Sequence, residues 1–254
     1  ARARTGFIDP PYNVAIQGNV TTREHREFAM AVGEMSDDAF ASFLGEAYGA
    51  IAEHLVDGGL LMSFMDWRGL PAMSSAARAL ALEPLNLIVW AKTNAGLGSL
   101  WRSQHELIGV YKKGGAAHVN NVALGKSGRW RSNLWTYPGA SSLGSEARAQ
   151  SGGHPTPKPV ALLADALLDV TNRGEVVVDT FTGSGSTLIA CERTGRRFVG
   201  IELDPLYVDL AVRRWETETG RKASLETAEP TTPLAPPTRP RVRVPAGSSR
   251  EDRT

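Results

Sequence analysis

The segment Val176-Val177-Val178-Asp179-Thr180-Phe181-Thr182-Gly183-Ser184-Gly185-Ser186-Thr187 constrains this chain most. An apolar β-branched run ends in a carboxylate, turns through two glycines and enters a stretch suited to a helix. A buried parallel strand feeding a helix reads this way, and such a unit needs further strand–helix pairs to cover both faces of its sheet. The rest of the chain supplies them. Gly6–Ile8 reads as a strand end running into Asp9, and Ser36 caps a helix from about Asp37 to Val56 with Phe40, Leu44, Tyr48 and Ile51 on one face. Leu60–Met65 is a strand apolar but for Ser63, a helix follows from about Leu70 to Leu82, and Asn86–Trp90 is another strand. Glu106–Lys112 alternates apolar and polar groups as an edge strand does. Pro159 opens a helix ending at Gly174, Thr187–Thr194 is a helix, Phe198–Glu202 a strand, and Asp204-Pro205 opens a last helix to about Glu218. The expected fold is therefore α/β, a mostly parallel doubly wound sheet with one antiparallel edge strand.

Two segments stand outside this alternation. Residues 112–152 are rich in Gly, Ser, Asn and Arg without a clear period, and a loop of that length inside a domain is usually functional or disordered. Residues 229–254 hold six Pro, five Arg and no aromatic, a composition expected to stay disordered. The lone Cys191 excludes an internal disulfide framework and a zinc ribbon. No apolar run approaches the roughly 20 residues of a membrane span, so no membrane partner is expected.

The glycine turn points to a nucleotide-like ligand. Its glycines let a ligand approach the backbone, and the helix start offers unpaired N–H groups. The third glycine of G-x-G-x-x-G is missing, since Leu188 stands there, and a cofactor without a pyrophosphate would not need the full fingerprint. Twenty-three residues after Asp179, Glu202 is placed to accept hydrogen bonds from ribose hydroxyls. S-adenosylmethionine has a ribose, no phosphate, and cationic groups that favour carboxylates. It fits, while a nicotinamide dinucleotide or a plain turn stays open on this motif alone.

A second motif, Asp9-Pro10-Pro11-Tyr12-Asn13, follows the first strand directly. Two prolines freeze a loop at the strand's C-terminal end, where α/β folds place ligands. Asp9 and the Pro10 carbonyl are two acceptors for the two hydrogens of a nucleobase exocyclic amine, and Tyr12 can stack on a base rotated out of a duplex. Lys126, Arg129, Trp130, Arg131, Asn133 and Trp135 interleave basic and aromatic groups in residues 112–148, whose net charge is +5 while the whole chain carries only +1. Such a segment suits double-stranded DNA.

In this order, DPPYN, then His154-Pro155-Thr156-Pro157-Lys158-Pro159, then VDTFTGSGS resemble the circularly permuted β class of amino-group DNA methyltransferases, the adenine-N6 and cytosine-N4 enzymes. The resemblance covers roughly residues 5–218 and implies a Rossmann-like methyltransferase fold. It implies a catalytic loop of Asp9, Pro10, Pro11 and Tyr12. It implies S-adenosylmethionine held by Asp179, Phe181, Gly183, Ser184, Gly185 and Glu202, with Thr156 and Lys158 lining the pocket. The segment Trp90-Ala91-Lys92 through Arg102-Ser103-Gln104-His105-Glu106 resembles phage- and plasmid-borne members; Glu106 suits either the DNA side of the cleft or a structural ion pair. The aspartate of D-P-P-Y favours adenine N6, with cytosine N4 as the near alternative and an inactive DNA-binding module as another. The resemblance implies a cytoplasmic protein of bacterial or phage origin in a restriction-modification setting. It leaves the oligomeric state open, a homodimer included. Relatives carry a further strand with a G-D motif ahead of the catalytic one; only eight residues precede Asp9, so that strand is expected to be missing from a catalytic domain spanning 1–228.

Overall fold

The computed structural model describes residues 2–14, 33–96, 100–122, 131–139 and 157–226. Seven strands form one sheet in the order β5-β3-β4-β2-β1-β6-β7. They are β1 (Ala3–Ile8), β2 (Leu55–Met65), β3 (Glu83–Lys92), β4 (His105–Lys112), β5 (Leu134–Tyr137), β6 (Val176–Asp179) and β7 (Arg197–Gly200). The helices are α1 (Asp37–His54), α2 (Leu70–Ala79), α3 (Val160–Val170), α4 (Ser186–Thr194) and α5 (Pro205–Thr219). The compact unit runs from Ala1 to Lys222; residues 223–226, the described part of the remainder, form no helix or strand.

Each face of the sheet is covered, as the continuous apolar strands require. On one side Phe7, Met62, Phe64, Ile108 and Val177 pack under Leu162, Leu163 and Leu167 of α3 and Ile189, Ala190 and Cys191 of α4. On the other, Ile8, Leu61 and Met65 meet Phe40, Leu44, Tyr48 and Ile51 of α1 and Met73 of α2. Period-two alternation decides this split: Leu60, Met62 and Phe64 point one way, Leu61 and Met65 the other. Ser63, buried in the second set, is satisfied by the Tyr48 hydroxyl at 2.8 Å. Ser36 caps α1 by accepting from the Ala39 N–H at 3.3 Å, and Asp204 caps α5 by accepting from the Leu206 N–H at 2.9 Å.

Two expectations change. The single antiparallel strand exists, but it is interior: β4 pairs antiparallel with both β2 and β3, and five of its eight residues are buried. Its apparent polar alternation comes from charges at its two ends, His105-Glu106 and Lys112, rather than from a solvated face. The edge beyond β3 is instead β5, a four-residue strand paired in parallel with Val89–Lys92. It lies within the stretch that shows no period, because four residues are too few to display one.

Parallel β1, β2, β6 and β7 end at one edge of the sheet, and the reversed β4 begins there. Asp9, Asp66, Asp179 and Glu202 follow or close those parallel strands, and Glu106 opens the reversed one. The chemistry-bearing residues gather at this edge.

Candidate active site

The loop after β1 is fixed by its own sequence. Pro10 and Pro11 exclude helix, and Asn13 takes φ 53°, a left-handed conformation that Asn tolerates better than most residues. Its side chain donates to the Met35 carbonyl at 2.8 Å and accepts from the Gly33 and Met35 amides at 3.1 and 3.2 Å. The loop is thereby tied to the entry of α1.

Within it, Asp9 and Tyr12 join a buried cluster of charge. The Lys158 ammonium lies 2.5 Å from Asp9 Oδ2 and 3.5 Å from Glu106 Oε2. The Tyr12 hydroxyl lies 2.9 Å from both Asp9 Oδ1 and Glu106 Oε2, and its single proton serves one of them at a time. Lys92 donates to the other oxygen of Glu106, Oε1, at 2.6 Å. Two carboxylates and two ammoniums therefore balance. Lys158 is 7% exposed and stands between two prolines, which hold it extended ahead of α3 and aim it into the sheet edge. Its ammonium also lies 5.4 Å from the centre of the Tyr12 ring and 5.1 Å from that of Phe64.

Electrostatics separate the two carboxyls. Burial pushes Asp9 up from its ordinary 3.8, more than Lys158 pulls it down. Burial acts on Glu106 too, but Lys158 and Lys92 together hold it down at about 2. Glu106 is thus a fixed anion, while Asp9 is a more basic group whose side chain is 24% exposed.

One strand away, β6 ends in the glycine turn. Gly183 and Gly185 adopt positive φ, 51° and 82°, and Gly185 sits at the start of α4. A Cβ on Gly185 would lie 2.9 Å from the Ala211 Cβ, so its missing side chain also lets α5 close on α4. Asp179 is 2% exposed, accepts from the Phe181 amide at 2.9 Å, and burial raises its carboxyl to about 7. Glu202 Oε2 accepts from the Gly183 amide at 2.7 Å and Oε1 from the Asp204 amide at 2.9 Å, which leaves a lone pair on each oxygen. Ser184 is turned away: its carbonyl and hydroxyl take Arg214 at 2.6 and 3.1 Å. The ring of Phe181 meets Phe43 of α1 edge-on at 6.1 Å.

Thr180 Oγ1 and Ser186 Oγ flank this turn, are buried, and have no hydrogen-bond partner among the described residues. Orphaned hydroxyls cost free energy unless a ligand satisfies them, and beside two carboxylates they suit a cationic, hydroxylated ligand. The donor set therefore fits S-adenosylmethionine.

The segment expected to meet DNA divides. Lys126, Arg129 and Trp130 lie outside the described residues, as does Thr156. Arg131 is paired with Asp169 at 2.5 Å and with Asp165 at 3.6 Å, and its guanidinium stacks 4.5 Å from the centre of the Trp135 ring. Trp135 is buried in the core, and its indole N–H donates to the Ser132 carbonyl at 2.8 Å. Asn133 donates to the Leu87 carbonyl at 3.0 Å. These three residues fasten β5 to the sheet, so the basic–aromatic pattern here is a packing pattern. Exposed aromatics occur elsewhere on the strand-end edge: Trp67 after β2 is 59% exposed and Trp101 before β4 is 84% exposed. Arg102 staples the Trp101 loop by donating to the carbonyls of Gly96 and Ala95 at 2.9 and 3.0 Å. Lys92 is the residue that sequence reasoning missed. Its signal is a lone lysine closing the apolar run of β3, two residues beyond Trp90, the register partner of the lone glutamate of β4.

A family model described as DNA methylase matches residues 4–213. Among curated proteins, the type II methyltransferase M2.DpnII of Streptococcus pneumoniae is 34% identical over 142 residues, 53% of this chain and about half, 52%, of that protein. The type II methyltransferase M2.MboI of Moraxella bovis is 26% identical over 224 residues, 84% of this chain and 80% of its own length. Among solved structures, the Thermus thermophilus protein TTHA0409, complexed with S-adenosyl-L-methionine, superposes with a TM-score of 0.63 at 26% identity, covering 86% of this chain and 87% of that one. The cytosine-N4-specific PvuII DNA methyltransferase shares the fold at a TM-score of 0.64 and 16% identity over 84% of this chain and 79% of that one. Among the described residues no helix is long and apolar enough to cross a membrane.

Proposed function

The chain belongs to the N6_N4_Mtase family of DNA methylases, and from that premise we propose that it transfers a methyl group from S-adenosylmethionine to the exocyclic N6 of an adenine flipped out of double-stranded DNA. One observation carries the reading. β1 and β6 are paired neighbours, so the amine-accepting loop and the glycine turn leave the sheet about 4.8 Å apart, side by side. The charge of Asp9 contributes to the raised pKa of Asp179, which supports the same closeness.

On this reading the cofactor supplies an electrophilic methyl on a cationic sulfur. Asp179 and Glu202 offer carboxylates to its charged and hydroxylated parts, and the Thr180 and Ser186 hydroxyls gain the partners they lack. Asp9 and the Pro10 carbonyl accept the two amine hydrogens, drawing the nitrogen out of conjugation so that its lone pair is free to attack. Once the nitrogen bears the methyl group it sheds one proton, and Asp9, made more basic by burial, accepts it. Tyr12 presents its ring to the base while its hydroxyl stays tied to carboxylates. An aspartate rather than a hydroxyl at position 9 favours adenine over cytosine. Trp67 and Trp101, exposed on the same edge, are suited to stacking against DNA.

The test is transfer of labelled methyl to duplex DNA, followed by nucleoside analysis. Wild type should yield N6-methyladenine, and Asp9→Ala should lose transfer by about 100-fold or more while keeping cofactor affinity within about twofold. N4-methylcytosine as the product would move the target base, and transfer by Asp9→Ala at the wild-type rate would sink the assignment.

A further inference from the structure

Lys158 belongs to the segment that the resemblance assigns to the cofactor pocket, yet its ammonium is aimed at the loop after β1. Its Nζ lies 2.5 Å from Asp9 Oδ2 and 3.5 Å from Glu106 Oε2, and those two carboxylates are its ion-pair partners among the described residues. The residue is 7% exposed, and burial alone would favour its neutral form. Asp9 and Glu106 outweigh that effect and keep it protonated.

Asp9 depends on this cation. Burial pushes its carboxyl up, and the anionic Glu106 on β4 pushes in the same direction. The charge of Asp9 is also felt at Asp179 on β6, so three carboxylates crowd this edge. Tyr12, on Asp9's own loop, donates from a neutral hydroxyl, and Lys92 on β3 spends its charge on Glu106 at 2.6 Å. Lys158, from the segment ahead of α3, is thus the cation in direct contact with Asp9 among the described residues. Without it, a buried carboxyl beside a fixed anion takes up a proton far more readily. Protonation turns one of its oxygens into a donor, and a donor cannot receive an amine hydrogen. Lys158 does not close the carboxylate against substrate. With one donor on each, Oδ1 and Oδ2 both keep a lone pair for the amine.

We propose that Lys158 is a positioning residue whose ammonium holds Asp9 in its anionic, hydrogen-accepting form at neutral pH, rather than a residue that binds the cofactor. It touches neither the methyl group nor the base and acts through Asp9 alone. Glu106 and Lys92 act one step further back: Lys92 neutralises Glu106, which leaves the charge of Lys158 to Asp9.

The inference rests on the proposed methyl transfer, and two readouts separate them. The first is the single-turnover transfer rate at saturating cofactor and duplex DNA, followed against pH in wild type and in Lys158→Met, which keeps the length of the side chain and removes its charge. The acid limb of the profile should move up by about one unit or more. The rate at about pH 7 should then fall about tenfold or more and return to within about threefold of wild type near pH 9, with cofactor affinity changed by no more than about threefold. Lys158→Arg, which restores a cation, should move the limb less than Lys158→Met does. A merely structural role would lower the rate by the same factor at every pH. That result, an unshifted limb, or a defect confined to cofactor affinity overturns the proposal. Where Lys158→Met does not fold, Lys158→Gln takes its place with the same expectations and the same overturning results. The second readout needs no activity: the midpoint of the Asp9 carboxyl carbon shift, followed by NMR in the cofactor-free protein, should rise by about one unit or more in the same variant. A midpoint that stays put overturns the proposal. A wild-type protein that binds the cofactor and transfers no methyl to DNA overturns the functional reading itself, even where the Asp9 midpoint moves, and the catalytic role of Lys158 falls with it.

Discussion

Asp179 should set the pH dependence of cofactor binding and, in the opposite sense, of stability. Its carboxyl is raised from 3.8 to about 7 by burial, against the hydrogen bonds from the Phe181 amide and the Thr187 side chain. In the free protein it is therefore mostly protonated below about pH 7. A cationic ligand favours the ionised form, so binding must remove that proton, and affinity falls as the pH drops. With a pKa of about 7, roughly nine tenths of the molecules are ionised at about pH 8 and one tenth at about pH 6, a loss of about tenfold in affinity. Isothermal titration with S-adenosylmethionine across that range measures it, and Asp179→Asn should bind more weakly with a flat profile. The stability effect has the reverse sign. The native state holds the proton more tightly than the unfolded chain, so this group's contribution is full below about pH 4 and is lost as pH rises to about 7. A shift of about three units corresponds to about 4 kcal/mol as an upper bound. Asp179→Asn should thus raise the urea midpoint of the ligand-free protein at neutral pH while weakening the ligand. A variant less stable than wild type at about pH 8, or one that keeps the wild-type pH slope of binding, would refute the argument that burial dominates at this carboxylate.

Gly185→Ala should destabilise the protein by about 1–3 kcal/mol in chemical denaturation, because the residue sits at φ 82° and its new Cβ meets Ala211 at 2.9 Å. Arg131→Ala should cost roughly 2–3 kcal/mol, the penalty for breaking a buried pair discounted for partial exposure, and leave DNA affinity near wild type. Trp101→Ala should do the opposite, leaving the melting temperature unchanged and weakening duplex binding in a gel-shift assay by about 1–3 kcal/mol.

The long elements and both motif loops were legible because each is a local statement. The Val176–Asp179 run, the glycine turn, the cap at Ser36 and the prolines after Asp9 define their backbones without reference to anything distant. Two kinds of feature escaped. β5 has four residues and no period, so only its pairing with β3 reveals it. The basic–aromatic stretch around Arg131 looked like a surface because the acids that neutralise it, Asp165 and Asp169, lie more than thirty residues downstream on α3. Composition reports which charges a segment carries, but their partners are set by tertiary pairing, and a balanced pair in the core is indistinguishable in sequence from a solvated patch.

The same consideration explains how the site was only half visible. Asp9 and Tyr12 announce themselves through their prolines, whereas Lys92, Glu106 and Lys158 come from three separate segments whose meeting depends on one topological fact. Were β4 parallel to its neighbours, Glu106 would open at the opposite edge of the sheet, about 25 Å from the loop it serves, given roughly 3.3 Å per residue over a strand of this length. Reversing that strand returns its first residues to the edge where β1 and β6 end. Placing the reversed strand in the interior, next to β2 and one strand from β1, brings its first carboxylate within reach of the Asp9 loop and flanks it with a strand on each side. An edge strand would have left Glu106 to water, and a solvated glutamate could not hold two ammoniums firmly enough to fix Tyr12 and Lys158. The interior position of β4 is thus the structural condition for holding Glu106 between Lys92 and Lys158 beside Asp9.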